Sequence, residues 1–221
     1  QTGSKHGEVI VQPSQVSSVM RRAFHALRNG RPGPVIVEIP SDIGSQEVPD
    51  SMPSYQPPKR SPQSPSAGDI KDAVKLLLNA KKPVIWSGMG VMLSGATEEL
   101  REVAELTGIP VYCTMPGKSS FDERHPLSLG SGSAATPLPA RRWLQESDVL
   151  FAVGSSMTRT SYGQPIPDGK VIIHNVESIE DINKDFSVDV GLPGDAKLTL
   201  RAMIDEIKAQ AGENGRRGQP D

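Results

Sequence analysis

The chain has 221 residues, 24 Lys+Arg against 26 Asp+Glu and a formal charge of −2, which allows one or two domains and lacks the basic face of a nucleic-acid binder. Only 36% of residues are hydrophobic and 4% aromatic, with 21 Gly and 20 Pro, so turns and loops must surround a Val/Ile/Leu core. No apolar run approaches the ~18 residues that span a membrane, and the single cysteine, Cys113, excludes an internal disulfide framework and a multi-cysteine zinc site. The expectation is a soluble cytoplasmic protein, read as a piece of something longer because it begins at Gln1 rather than Met.

Residues 14–30 read as a helix, with Ser14 as N-cap, an apolar stripe of Val16, Val19, Met20, Ala23, Phe24 and Leu27, and Gly30 just past its end. A short β-branched strand follows at 35–39 and Pro40 stops it. This helix–strand pair reads as the last unit of an α/β domain, a remnant spanning residues 1–43. Six prolines among Ser and Gln in 44–68 predict an extended interdomain linker. From 69 to 211 strands and helices alternate. Strands are expected at 84–86, 111–113, 149–153 and 171–174, with an edge strand at 188–190. Helices are expected at 70–79, 97–107, 137–146 and 195–210, with a shorter one near Ser178. Residues 212–221 read as a disordered tail. The fold class is α/β: a doubly wound, mainly parallel six-stranded sheet with ligands beyond the carboxyl ends of the strands.

Those strand ends carry Gly88 and Gly90, then Thr114, Met115 and Gly117, then Gly154, Ser155 and Ser156, then Asn175 and Glu177. Glycines between a strand and a helix let a phosphate or ribose approach the backbone. A side chain at Gly90 would fill that space, so Gly90→Val is expected to weaken nucleotide binding while the fold survives. The dinucleotide fingerprint is incomplete, because Gly95 follows Gly90 by five residues rather than three. Cys113 reads as a small buried hydrophobe. His6, His25, His125 and His174 show no metal-ligand spacing, and His125 is expected to make a structural hydrogen bond. The carboxylates Glu177, Glu180, Asp181 and Asp185 read as a solvated helix face. Local chemistry offers no nucleophile, general base or metal site.

Several strings in order resemble the thiamine-diphosphate enzyme family, in its acetolactate synthase-like branch. Arg21–Leu27 and Gly30–Asp42 resemble the end of the pyrimidine-binding domain. Lys82-Pro83-Val84-Ile85 with the Gly88/Gly90 turn, Leu106–Val111, Gly117-Lys118, His125–Gly130, Ser147–Leu150 running into Gly154, and Gly194-Asp195 resemble the central domain. The resemblance implies a fragment of a decarboxylase or carboligase acting on a small 2-oxo acid, inactive alone. Thiamine diphosphate and magnesium would be held by the remaining pyrimidine- and diphosphate-binding domains, since neither the activating glutamate segment nor a Gly-Asp-Gly string is present. A homo-oligomer is expected, with no nucleic acid and no membrane as partners.

Central domains of this family bind FAD, ADP or nothing. Ser156 stands where FAD-binding members place an arginine. Asn175 and Glu177 stand at their acidic pair, and Gly130-Ser131-Gly132-Ser133 replaces Gly-Met-His-Gly. These departures argue against the usual FAD binding and leave a smaller, ADP-like nucleotide compatible. Two other readings stay open: a non-catalytic nucleotide-binding or regulatory module, and a dinucleotide-dependent oxidoreductase or deacylase.

Overall fold

The computed structural model describes residues 3–52, 54–133 and 135–215, which fall into two compact units, one ending at Pro62 and one starting at Gln63. The expected tail therefore lies mostly outside the described residues.

The first unit contains β1 (His6–Val9), α1 (Val16–Arg28), β2 (Val35–Glu38) and the one-turn α2 (Ser41–Gly44). The sequence predicts α1 and β2 but not β1, whose His-Gly-Glu-Val carries a single β-branched residue. β1 lies parallel to β2 with Glu8 opposite Val37, and Arg22 of α1 donates to Glu8. Among the described residues of this unit the buried apolar ones are Ile10, Val19 and Ala23, a small core for its length. The described part of 45–62 has no helix or strand, yet it runs along α1. The Tyr55 ring lies 6.1 Å from that of Phe24, Arg28 Nη1 donates to the Pro58 carbonyl at 2.8 Å, and the Ser61 amide donates to Asn29 Oδ1 at 2.6 Å. Composition gives no hint of these ties.

The second unit is a six-stranded, wholly parallel sheet. Its strands are β3 (Val84–Ser87), β4 (Val111–Thr114), β5 (Ser128–Gly132), β6 (Val149–Val153), β7 (Val171–Val176) and β8 (Val190–Pro193), in the order β5-β4-β3-β6-β7-β8. Helices α3 (Ala67–Asn79), α5 (Thr97–Thr107) and α7 (Ala196–Ala211) cover one face, where Val74, Leu100 and Met203 share a core with Ile85, Phe151 and Ile173. α6 (Leu138–Glu146) covers the other through Ala140 and Leu144, against Val84, Trp86, Leu150 and Ala152. Odd and even residues of each strand thus serve opposite faces, as the period of 2 requires. Burial on both faces is why β3 and β6 read as unbroken apolar runs.

Local chemistry fixes the element ends. Ser66 Oγ accepts from the Asp69 amide, and Asp195 accepts from the Lys197 and Leu198 amides, capping α3 and α7. Asp148 accepts from the Lys81 and Lys82 amides at 2.7 and 2.9 Å and joins the start of β6 to that of β3. Burial alone would raise its pKa, but these amides hold it below the usual value.

In the second unit two elements escape the sequence pattern. β5, Ser-Leu-Gly-Ser-Gly, is an edge strand with no β-branched residue and a register shift against β4. α4 (Met89–Leu93) begins inside the glycine turn. Near Ser178 a 3-10 turn, Ile179–Asp181, replaces the expected short helix. No helix among the described residues is long and apolar enough to cross a membrane.

Candidate functional site

The chain moves outward from β3 through β4 to β5, then returns to β6 beside β3 and moves outward the other way. Strand ends diverge at such a switch point, and ligands of open α/β sheets bind there. The turn after β3 and the turn after β6 face each other across it. The Gly88 amide donates to the Val153 carbonyl at 2.9 Å and the Gly90 amide to the Gly154 carbonyl at 2.8 Å.

The structure brings Gly88, Gly90, Gly117, Gly154 and Ser155 together. A methyl group at Gly88 would lie 2.3 Å from the Gly154 oxygen, one at Gly90 2.7 Å from Gly154 Cα, and one at Gly117 2.5 Å from the Ser87 oxygen. Gly154 has φ +62, and a methyl there would lie 2.6 Å from the Val91 nitrogen. Backbone packed on backbone is therefore what demands these glycines. This corrects the expectation for Gly90: the space beside its Cα holds Gly154, so Gly90→Val strikes the fold before it strikes any ligand.

The other predicted site residues have separate surroundings. Thr114 Oγ1 accepts from the Gly117 amide and closes its turn, while Met115 is exposed. Ser155 Oγ accepts from the Met157 amide, and Ser156 Oγ shares a 3.0 Å hydrogen bond with Thr158. Glu177 is half-buried just past β7. Gly130 lies on β5, two strands from the switch point. Asn175 is fully buried and turned toward α7: its Nδ2 reaches the Leu192 and Gly194 carbonyls and Thr199 Oγ1 at 2.9, 3.1 and 2.9 Å. It ties β7, β8 and α7 together.

Sequence reasoning missed His174, whose Nε2 donates to the Ser155 carbonyl at 2.7 Å. The available signal was its place at the end of an apolar strand that leads to the crevice. The acidic group also needs correction. Asp181 is buried and paired with Lys184, because the 3-10 turn folds it inward, so it is not part of a solvated face. His125 fits its expectation: Nδ1 accepts from the Leu127 amide and Nε2 lies 3.3 Å from Glu105.

The chemistry available is restrained. Cys113 is buried beside the Ser87–Ser120 hydroxyl pair, and burial pushes its thiol pKa up. Burial also raises Tyr112, whose hydroxyl bonds Thr136. Among the described residues no group of three or more His, Cys, Asp and Glu could hold a metal ion.

Sheet order, crossovers and glycine turns at the switch point define a doubly wound, Rossmann-like α/β domain. The family described as thiamine pyrophosphate enzyme, central domain, matches residues 70–203, and the chain belongs to that family. The large subunit of acetolactate synthase from Corynebacterium glutamicum is 37% identical over 219 residues, covering 95% of this chain and 34% of that protein. The isozyme 3 large subunit from Escherichia coli is 29% identical over 218 residues, covering 94% and 37%. The benzoylformate decarboxylase structure from Polynucleobacter necessarius shares the fold, with a TM-score of 0.80, 20% identity and coverage of 98% of this chain and 39% of that one. The chain spans about a third of the length of the curated relatives it matches.

The family name implies thiamine diphosphate. Its diphosphate is usually bound through a divalent cation, which takes clustered oxygen ligands. No such cluster exists among the described residues, and the switch-point glycines face backbone. The residues present do not fit this cofactor.

Proposed function

We propose that this chain is the central domain, with the adjoining end of the pyrimidine-binding domain, of an acetolactate synthase-like enzyme, and that it acts as a scaffold without catalytic groups of its own. The match to the Corynebacterium acetolactate synthase, 37% identity over 95% of the chain, carries the reading. The whole enzyme would decarboxylate a small 2-oxo acid and transfer or release the aldehyde equivalent. Thiamine diphosphate supplies carbanion stabilisation when bound, held with magnesium by the enzyme's other domains in a homo-oligomer. This chain contributes a rigid sheet whose switch point is locked by glycine turns. An ADP-like nucleotide at the strand ends is the weaker reading, since those glycines are already in contact with backbone and Ser156 supplies no positive charge.

Calorimetry with thiamine diphosphate and magnesium, and turnover of pyruvate, test the scaffold reading. The expected result is no binding below millimolar concentration and no turnover. Sub-millimolar binding would overturn it. Titration with ADP and FAD tests the nucleotide reading separately: ADP binding more tightly than FAD supports it, and tight FAD binding refutes that ranking.

A further inference from the structure

We propose that His174 is a pH-sensitive latch for the loop after β6, holding Ser155 against the Gly88 turn while its ring is neutral. His174 is 1% exposed, and its Nε2 lies 2.7 Å from the Ser155 carbonyl oxygen. A carbonyl only accepts, so Nε2 carries the proton. Nδ1 is then a bare acceptor, buried and without a hydrogen-bond partner. Ser155 is also the residue whose Cα and Cβ would each lie 2.7 Å from a methyl on Gly88. The ring thus ties the backbone that closes the switch point to a buried bare nitrogen; the Nε2–H bond to Ser155 exists in both protonation states, and it is the unpartnered Nδ1 that senses the second proton.

The surroundings offer no place for a second proton. Across the sheet His174 pairs with Ala152 and Ala152 with Trp86, so the three share one row and one face. Neither neighbour's side chain accepts a proton, and Trp86 Nε1 is itself buried without a partner. Two charged groups from the β7–β8 crossover act on the ring: Asp181 favours its charged form and Lys184 opposes it. They are paired with each other, which weakens both effects. The bond to the Ser155 carbonyl also favours the charged ring, but burial outweighs all of these and pushes the imidazole below its ordinary pKa. A proton placed on Nδ1 would create an unpaired N–H and an uncompensated charge in the interior. Opening the loop to admit water relieves both.

The loop can open separately with one buried anchor to withdraw, Met157, which packs in the core beside Leu150 and Ala152. The β6–β7 crossover, 154–170, contains no helix. Its ties to the next crossover lie at the surface. Lys184 Nζ donates to Thr158 Oγ1 at 3.0 Å, the Arg159 amide donates to Asp185 Oδ2 at 2.8 Å, and the Arg159 guanidinium sits 4.5 Å from the Phe186 ring centroid.

The test is hydrogen exchange on the 221-residue chain at pH 7.5 and 5.0, corrected for intrinsic rates and read on peptides covering 154–161 and on β3 and β4. Protection of 154–161 should fall at least tenfold at pH 5.0 while the strands keep theirs. His174→Gln, whose side-chain amide presents an N–H at the same reach and does not titrate, should stay protected at both pH values. His174→Phe should open the loop at pH 7.5, read as at least tenfold faster tryptic cleavage after Arg159. Equal wild-type protection at the two pH values, or the same acid loss in His174→Gln, overturns the latch. These two comparisons decide the matter even where His174→Phe does not fold.

Discussion

Gly154 and Gly95 share a backbone conformation, φ +62 and +66, but not an environment. A methyl at Gly95 meets nothing within 4 Å, whereas one at Gly154 meets the Val91 nitrogen at 2.6 Å and Gly90 Cα and C at 2.9 Å. Alanine at either position incurs the left-handed penalty of about 1–2 kcal/mol. Only at Gly154 must backbone also shift, which costs about 1–3 kcal/mol by analogy with overpacked cores. Gly154→Ala should therefore lose about 2–5 kcal/mol and Gly95→Ala about 1–2 kcal/mol. Gly90→Ala adds a sign test. Alanine in a helix is normally favoured over glycine by about 0.5–1 kcal/mol, but a methyl 2.7 Å from Gly154 Cα should make this change destabilising. Both tryptophans, Trp86 and Trp143, lie in the second unit, so their fluorescence in urea follows its unfolding. With a slope of about 2 kcal/mol per molar urea, the two Gly→Ala midpoints should differ by about 1 M. If Gly154→Ala and Gly95→Ala lose the same stability within about 0.5 kcal/mol, the glycines do not lock the switch point.

Glu99 accepts from Arg201 at 3.0 Å and lies 3.4 Å from Lys197, tying α5 to α7, so Glu99→Ala should lower unfolding stability by about 1 kcal/mol, discounted because Arg201 is largely exposed. Tyr55→Ala removes an aromatic pair worth about 0.5–1.5 kcal/mol, and thermolysin should then cut the 45–62 segment several-fold faster with the tryptophan signal unchanged. Cys113 should react with a thiol reagent in the native chain far more slowly than in urea, since burial both shields it and raises its pKa. His174 is depressed in the folded state, so its contribution is complete above the unfolded value of about 6.5 and is lost as pH falls below it toward the folded value, by at most about 1.4 kcal/mol per pH unit. Urea midpoints from pH 7.5 to 5.0 should fall more steeply for wild type than for His174→Gln.

Strands β3 and β6 were legible because a sheet covered on both faces leaves consecutive apolar residues, and α5 because Leu100, Val103 and Ala104 recur on one face. β1 and β5 were not, since their pairing comes from neighbours distant in sequence and their residues carry little strand propensity. The glycines of the crevice were visible by position but misread in purpose. A Gly between a strand and a helix signals close approach, and the partner that approaches Gly90 is Gly154, 64 residues along the chain. Asn175 shows the same limit from the other side. Its place at a strand end suggests a ligand contact, while the pleat turns its side chain toward α7. The ties of the proline-rich segment to α1 depend on Phe24, assigned to the helix's apolar stripe, and on Arg28 and Asn29, which fall within the expected helix 14–30 and carry no signal of their own.

Cys113, Tyr112, Asp148 and His174 favour the proposed scaffold over catalysis through the direction in which each is held. Enzymes move pKa values toward working pH so that a nucleophile or base is available. Here burial moves Cys113 and Tyr112 further above neutrality, which keeps the thiol and phenol protonated. Asp148 is held as a carboxylate by backbone amides whose strand ends it joins. Asp181 and Glu99 are buried carboxylates matched to lysine and arginine side chains of the same unit. His174 is held neutral, but its one proton is committed to the Ser155 carbonyl and its free lone pair faces the interior. Lys170 is the exception in direction, since burial lowers its pKa, but its Nζ donates to the Ser147 carbonyl at the amino ends of β6 and β7, away from the crevice. Under the scaffold proposal, a domain so arranged would present the strand ends of its sheet, and proton transfer and bond breaking would fall to other parts of the enzyme.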